Sequence, residues 1–565
     1  MAFQLSPGVN VSEIDLTTIV PAVGTTEGAF AGAFNWGPMG SVVTISDEVE
    51  LVNTFGKPDA NTFKSFFTAA NFLSYARNLK VVRAGSNSTS NNATSGSVAP
   101  IIRNRDEYEQ NYLDLSAANT VGQFAARYPG DLGNSLKVSM WASPNATAYT
   151  AWTYSNEFNS VPGTSIYTSN VNGANDEMHI IVIDEDGKFT GVSNTILEKF
   201  GYASKAFDAK NDDGSSNYYV NVINERSRYI YIMRHPDEAA ANMNWGSAAS
   251  NLSFKQDATS YTASLANGKY GLPTDADLIN AYDRYKNAEE VDISLIVTGA
   301  ANNTVAEYVV DNIAGTRKDC VAFVSPLYAD VVNNSGSEAD DLVTYRNLFN
   351  SSSYAVMDNN WKLQFDKYNN VYRWVPLNGD IAGTCARTDL ERDPWYSPGG
   401  LNRGVIKNVI KLAYNPNKTD RDNLYVQGVN PVVSFQGEGT ILYGDKTMLA
   451  KPSAFDRINV RRLFIVLEKS IAKAARSTLF EFNDQFTRAQ FVNLVEPFLR
   501  DVQGRRGITD FRVVCDESNN TAEVIDRNEF VGDIYIKPAR SVNFIQLNFV
   551  AVRTGVAFDE IVGRF

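Results

Sequence analysis

The chain has 565 residues, 44% hydrophobic, 12% aromatic and 20% charged, which is more than one hydrophobic core serves and too apolar for a disordered protein, so several folded domains are expected. Its formal charge of −13 opposes wholesale binding of nucleic acid, whose phosphates repel an acidic surface. Three dispersed cysteines (Cys320, Cys385, Cys515) give neither a disulfide framework nor a metal knuckle, and two histidines (His179, His235) leave little room for imidazole catalysis or a histidine metal site.

The start, MAFQLSPGVNVSEIDLTT, lacks the basic stretch and apolar core of a secretory signal, and no window approaches about 18 continuous apolar residues, so a soluble chain made in the cytosol is expected. Val9 and Val11 alternate, and the phase shifts to Ile14 and Leu16 across Glu13, which predicts a bent or bulged strand in an arm over 1–20. Gly32, Gly37, Pro38 and Gly40 then divide AFAGAFNWGPMGSVVTI into short strands and turns. The spacing of Phe66, Ala69, Ala70 and Leu73 predicts a helix over 62–78, and LKVVRA a strand, so 21–90 reads as the first part of an α/β core.

From Ser86 the run SNSTSNNATSGS predicts a flexible surface loop and the border of an insertion. That insertion, 91–270, reads as β-rich, with strands at YYVNVI and RYIYIM. Asp184–Gly187, after the apolar HIIVID, reads as a hairpin tip and Asn211–Gly214 as a turn. Neither has the alternating acidic loop and distal glutamate of a calcium hand.

The α/β pattern resumes over 271–385. A strand over 291–298, a helix near 303–317 and a second strand at CVAFVSP form a βαβ unit with parallel strands. Gly299 stands alone after the first strand, without a G-x-G-x-x-G fingerprint, so no dinucleotide is expected.

Residues 386–565 open on RDPWYSPGGLNRG, a tight loop holding Trp395 and Tyr396. The segment Gly439–Thr447 nearly spells a phosphate-cradling loop, but Asp445 adds one residue, shifts Lys446 and Thr447 out of register and puts a negative charge where phosphates would sit. A helix is predicted over 460–480, with Phe464, Leu467, Ile471 and Ala474 on one face and Arg462, Lys469, Lys473 and Arg476 on another. A second is predicted from a capping box at Thr487 and Gln490; it carries Phe491, Leu494, Val495 and Phe498, and Pro497 kinks or shortens it. Residues 451–512 hold twelve Lys or Arg against seven Asp or Glu, a local +5 that leaves −18 for the remainder, which suits the docking of an acidic partner. Strands follow at DFRVVCD, TAEVID, GDIYIKP and SVNFIQLNFVAVR, the last with Ile545, Leu547 and Phe549 on one face. Such a terminal strand either stays in its own fold or pairs with the sheet edge of a neighbouring copy.

The motifs SPGVNVSEID, GAFNWGP, DPWYSPGGLNRG, YGDKT, AFDRINVRRLF, FEFNDQFTR, GITDFRVVCDESNNT and IYIKPARSVNFIQLNFVAVRTGVAF together resemble the tail sheath proteins of contractile-tailed, T-even-like bacteriophages. The resemblance implies an α/β and α+β multidomain fold: inner α/β domains, a β-rich outer insertion, and terminal strands exchanged between subunits. It implies a structural role without catalysis or cofactor, in hexameric rings stacked around a tail tube that contract on a baseplate signal. The implied partners are further copies, the tube, the baseplate and the tail terminator, with no direct contact to nucleic acid or membrane; the place is the virion tail, assembled in the host cytoplasm. The strands around Val9, Val11, Ile14 and Leu16 and around Ile545, Leu547 and Phe549 would join subunits, and Arg462, Lys469, Lys473 and Arg476 would face the tube. Two other classes stay open on the residues alone: a nucleotide-dependent enzyme using Gly439–Thr447, and a non-contractile capsid or tube polymer.

Overall fold

A computed structural model describes Val20 and residues 23–236, 244–543 and 546. They belong to two compact units, one spanning Val20–Ser477 and the other holding the described residues from Thr478 onward. The border between them falls between the two expected C-terminal helices.

The first unit is organised by a seven-stranded sheet in the order Val429–Asn430, Ala355–Asp358, Val321–Val324, Leu295–Val297, Gly28–Ala33, Leu79–Ala84, Val42–Ile45. All neighbours run parallel except Val42–Ile45, which pairs antiparallel with Leu79–Ala84. Parallel strands covered on both faces need side chains that are apolar in both directions, and these are. Ala29, Ala31, Val82, Ile296, Ala322 and Met357 face one core, whereas Phe30, Val81, Leu295, Val297, Phe323 and Val356 face the other.

Helices Asp275–Tyr282, Asn303–Tyr308 and Glu338–Arg346 contribute to the first layer, and Phe63–Leu73 and Asn378–Glu391 to the second. The first strand explains its own composition: a Cβ on Gly28 would stand 2.5 Å from the Phe72 ring, so only glycine lets that helix approach. The glycine at 32 lies within the strand, and the turns fall at Gly37 and Gly40, both at positive φ.

The expected βαβ unit is present with Leu295 opposite Val321, its helix passing through a π-helical turn at Val309–Ala314. Residues 91–270 add no strand to the large sheet. They build a four-stranded antiparallel sheet, Thr195–Ser204, Glu177–Asp184, Leu136–Trp141, Tyr261–Ser264, and a pair, Phe124–Ala126 with Ile230–Ile232, around a core that includes Phe124, Val138, Ile180, Val182 and Ile223.

Three local expectations fail here. YYVNVI forms a helix, Tyr219–Arg226, that buries Tyr219, Val220, Val222 and Ile223; a short apolar run fits a buried helix face as well as a strand. SNSTSNNATSGS is not a loose surface loop: Ser90, Asn92, Ala93 and Thr94 are buried. Asn91 bridges to Lys269 and Thr94 to Ala266, so the outgoing and returning chains pair, while Asn92 donates to the Ala126 carbonyl at 2.7 Å and accepts from the Ile102 amide at 2.8 Å. Side-chain amides can stand in for backbone ladders, which composition alone does not reveal. TAEVID, in the second unit, is a single helical turn, Ala522–Asp526, because Ile508–Val514 pairs with Asp533–Pro538 instead.

HIIVID does lead into an antiparallel neighbour, with Asp184 as an organiser of the turn. Its carboxylate accepts from the Phe189 and Thr190 amides at 3.0 and 2.8 Å and from the Ser135 hydroxyl at 2.6 Å.

Candidate assembly surfaces

In an open parallel sheet, ligands bind in the crevice outside the carboxyl ends of the strands. Here that place is filled by the chain's own polar groups. The Ser325 hydroxyl, just past Val321–Val324, donates to Asp358 Oδ2 at 2.6 Å and accepts the Asn378 amide at 2.9 Å. The Asn378 side chain in turn donates to the Gly299 carbonyl at 2.7 Å. Burial pushes the Asp358 carboxyl up to about 7. Two residues beyond Asn378, Asp380 accepts from Lys362 Nζ and from the Tyr75 hydroxyl, each at 2.9 Å, and both members of the ion pair with Lys362 are fully buried.

The near-phosphate-loop is likewise turned inward. Asp445 accepts from Arg457 at 3.0 Å and from the Ser397 hydroxyl at 3.0 Å, Lys446 donates to the Tyr425 carbonyl at 2.7 Å and stands over its ring, and Thr447 is buried. Trp395 of the Pro–Gly loop is buried too. His179 is a packed imidazole: it stacks on Phe158 with centroids 4.0 Å apart, accepts the Tyr202 amide and donates to the Ser160 carbonyl. Burial lowers its pKa and favours the neutral ring. All three cysteines are free and buried, and burial pushes the Cys320 and Cys385 thiols up to about 12. Among the described residues no cluster of His, Cys, Asp or Glu could hold a metal, and no helix is long and apolar enough to cross a membrane.

Attention therefore moves to surfaces. Helix Ile458–Ala475 divides the four basic residues that its periodicity places on one stripe. Arg462 is not exposed: it is paired with buried Asp389 and donates to the Cys385 carbonyl at 3.3 Å, so it is a structural cation of the body. Lys469 is mostly buried, 2.8 Å from Asp292 and bonded to the Ile293 carbonyl at 2.7 Å. Only Lys473 and Arg476, in the last turn and just beyond it, are exposed. A charged stripe on a helical wheel reports a face, and part of this face is covered by the protein's own carboxylates.

The second unit is built differently. Helix Gln485–Gly504 buries Phe491, Leu494, Val495, Leu499 and Val502 and continues past Pro497, which does not shorten it. Its cap is Asp484, which accepts from the Thr487 amide at 2.8 Å; the expected capping box at Thr487 and Gln490 lies inside the helix, one turn late.

The strands Ile508–Val514 and Asp533–Pro538 pair antiparallel as a two-stranded ribbon, and among the described residues neither has a second neighbour. The segment before the helix exposes large apolar side chains: Leu479 at 63%, Phe482 at 84%, Phe486 at 75%, and Phe480 completely. Periodicity did not signal this cluster, although F-x-F beside Asn-Asp is an unusual composition for a turn. The predicted joining strands around Val9, Val11, Ile14 and Leu16 and around Ile545, Leu547 and Phe549 lie outside the described residues.

The chain matches the phage tail sheath protein central domain over residues 272–448, the phage tail sheath C-terminal domain over 450–551 and the tail sheath protein Gp18 domain III N-terminal region over 29–84. It is 35% identical to the tail sheath protein of Vibrio phage KVP40, covering 99% of this chain and 100% of that one. It is 33% identical to the tail sheath protein of Enterobacteria phage T4, covering 99% of each. Among solved structures, a sheath tail protein from Listeria innocua shares the fold at 12% identity with a TM-score of 0.54, over 92% of this chain and 93% of that one. The likeness to these relatives runs along nearly the whole sequence, and the chain belongs to the phage tail sheath protein family.

Proposed function

We propose that this chain is the subunit of a contractile tail sheath: it polymerises as stacked hexameric rings around a tail tube, and the sleeve contracts to drive the tube through the host envelope. The observation that carries this reading is the similarity to two phage tail sheath proteins over 99% of the sequence. The C-terminal ribbon supports it. Two strands make a marginal sheet, and strands alternating as Val9 and Val11 do, or Ile545, Leu547 and Phe549, would complete it from neighbouring copies.

The role is structural, without catalysis or cofactor. Energy stored at assembly as a difference between two packings of the same subunits needs no nucleotide, and the occupied strand ends and the inward-turned Gly439–Thr447 loop agree with that. The partners are other copies, the tube, the baseplate and the tail terminator, in a virion tail assembled in the host cytoplasm. Residues 91–270 form the outer insertion, and Lys473 and Arg476 are the remaining candidates for the tube contact.

Electron microscopy of the purified, concentrated chain tests the reading. Hollow striated tubes are expected, and deletion of residues 1–16 should abolish them while leaving a folded monomer. A chain that stays monomeric even with tube and baseplate added would refute it.

A further inference from the structure

The segment joining helix Ile458–Ala475 to helix Gln485–Gly504 is inside out. Its polar groups point inward: Asn483 Nδ2 donates to the Glu529 carbonyl at 2.8 Å and to Asn520 Oδ1 at 3.2 Å, and buried Arg488 donates to Asn483 Oδ1 at 2.9 Å. Its apolar groups, Leu479, Phe480, Phe482 and Phe486, point to solvent. The turn is fixed further by the Glu481 amide on the Thr478 carbonyl and the Asp484 amide on the Phe482 carbonyl. Phe480 sits at φ +70°, a left-handed conformation that bulky residues rarely take. Polar anchors therefore hold three aromatic rings and a leucine outward on a hydrogen-bonded frame, the arrangement of a preorganised contact.

We propose that this strip, Leu479 to Phe486, docks on a second copy of the chain; the proposal rests on the sheath reading and names one of its contacts. Four such side chains would bury on the order of 600 Å². That is larger than a small ligand needs, and short of the roughly 800 Å² that each partner gives to a stable pairwise interface. A contact of this size is weak in a dimer and effective in a lattice, where each copy makes several at once. Charge favours a copy as the occupant. The strip lies in the 451–512 stretch of local +5, a few residues after Lys473 and Arg476 in the sequence, while the rest of every copy carries −18. It also belongs to the unit whose ribbon has, among the described residues, no third strand.

The test uses the full chain carrying Phe480→Ser, Phe482→Ser and Phe486→Ser together. Because these rings are exposed in the single chain, its melting temperature should match the parent, while the concentration needed to form tubes should rise at least tenfold; Phe482→Leu with Phe486→Leu should assemble near the parental concentration. An environment-sensitive dye on Phe482→Cys reads the contact directly, since the native cysteines are buried; its emission should shift to the blue on polymerisation.

Tubes formed by the triple-serine variant at the parental concentration would overturn the proposal alone, whereas a parent that never polymerises, tube and baseplate included, would overturn it together with the sheath reading. A dye already shielded in the dilute monomer would place the strip against its own chain. A triple variant that polymerises alone yet fails to sheathe tubes would place it against the tube. Either result overturns the contact between copies.

Discussion

The body from Val20 to Ser477 and the unit from Thr478 onward are built on sheets of different kinds. In the body, the seven-stranded sheet is covered by helices on both faces, and the charges inside have partners: Arg462 with Asp389, Lys362 with Asp380, and Arg83 with the carbonyls of Phe34, Gly37 and Pro129. In the C-terminal unit the two-stranded ribbon has no further strand on either edge among the described residues, and a turn presents phenyl rings to water. A sheet covered on both faces can be carried as a solid block, and a cluster of exposed rings beside a short ribbon is a place where a polymer can join.

The sharpest way to break this contrast is to remove a buried charge from the body. Arg462→Ala leaves Asp389 buried without its cation, and such a loss costs about 3–5 kcal/mol. Urea unfolding should show a large fall in the midpoint; an unchanged midpoint would mean that the body tolerates unpaired charge and is not the closed block described above. Trp36→Ala should act with similar force, by about 3–5 kcal/mol. Its ring packs edge-on against Tyr128 and Phe189, joining the β-turn region of the large sheet to the insertion.

A smaller effect sharpens the comparison through pH. The folded pKa of Asp358, about 7, lies above the roughly 3.9 of an unfolded aspartate. Between those values the native chain keeps a proton that the unfolded chain has released. Asp358 therefore lowers stability as pH rises from about 4 to about 7, by a few kcal/mol at most, and its contribution is fully favourable only below that window. Asp358→Asn should flatten this part of the profile, measured as the difference in unfolding midpoint between parent and variant at pH 5 and pH 7.5. Equal slopes for the two proteins would show that the carboxyl ionises freely and that the plug at the strand ends is wetter than its burial implies.

Much of the body was legible because its signals are redundant. LKVVRA is the strand Leu79–Ala84 to the residue, and the βαβ unit is present with shorter strands, Leu295–Val297 within the expected 291–298 and Val321–Val324 within CVAFVSP, since these buried parallel strands are mostly apolar on both faces. Where one short apolar run had to decide, as in YYVNVI or TAEVID, it decided wrongly, because five or six residues fit one helical turn as well as half a strand. SNSTSNNATSGS misled for another reason: Asn92 and Thr94 look like loop residues and serve as buried hydrogen-bonding groups. The candidate site divides in the same way. The four basic residues share a face on the helical wheel, and that face cannot report that Asp389, 73 residues away, takes Arg462 inside. The exposed strip around Phe482 escaped because periodicity assigns apolar residues to the core, and an interface is a core completed by another molecule.

The smallest expected effect on the single chain, and the one that tests the division most directly, comes from the two members of the stripe that remain outside. Lys473 and Arg476 are exposed, and among the described residues they carry no ion pair. Lys473→Glu with Arg476→Glu should change unfolding free energy by less than about 0.5 kcal/mol, as surface substitutions do. If they meet the tube, the same pair should weaken co-sedimentation with tail tubes, and added salt should weaken the parent in the same direction, because screened pairs contribute about 0 to 1 kcal/mol each and act only in number. Normal sheathed tails from the double variant would remove these residues from the tube contact. A fall in monomer stability comparable to that of Arg462→Ala would show that the stripe is structural along its whole length, so that the contact-making part of the chain begins no earlier than Thr478.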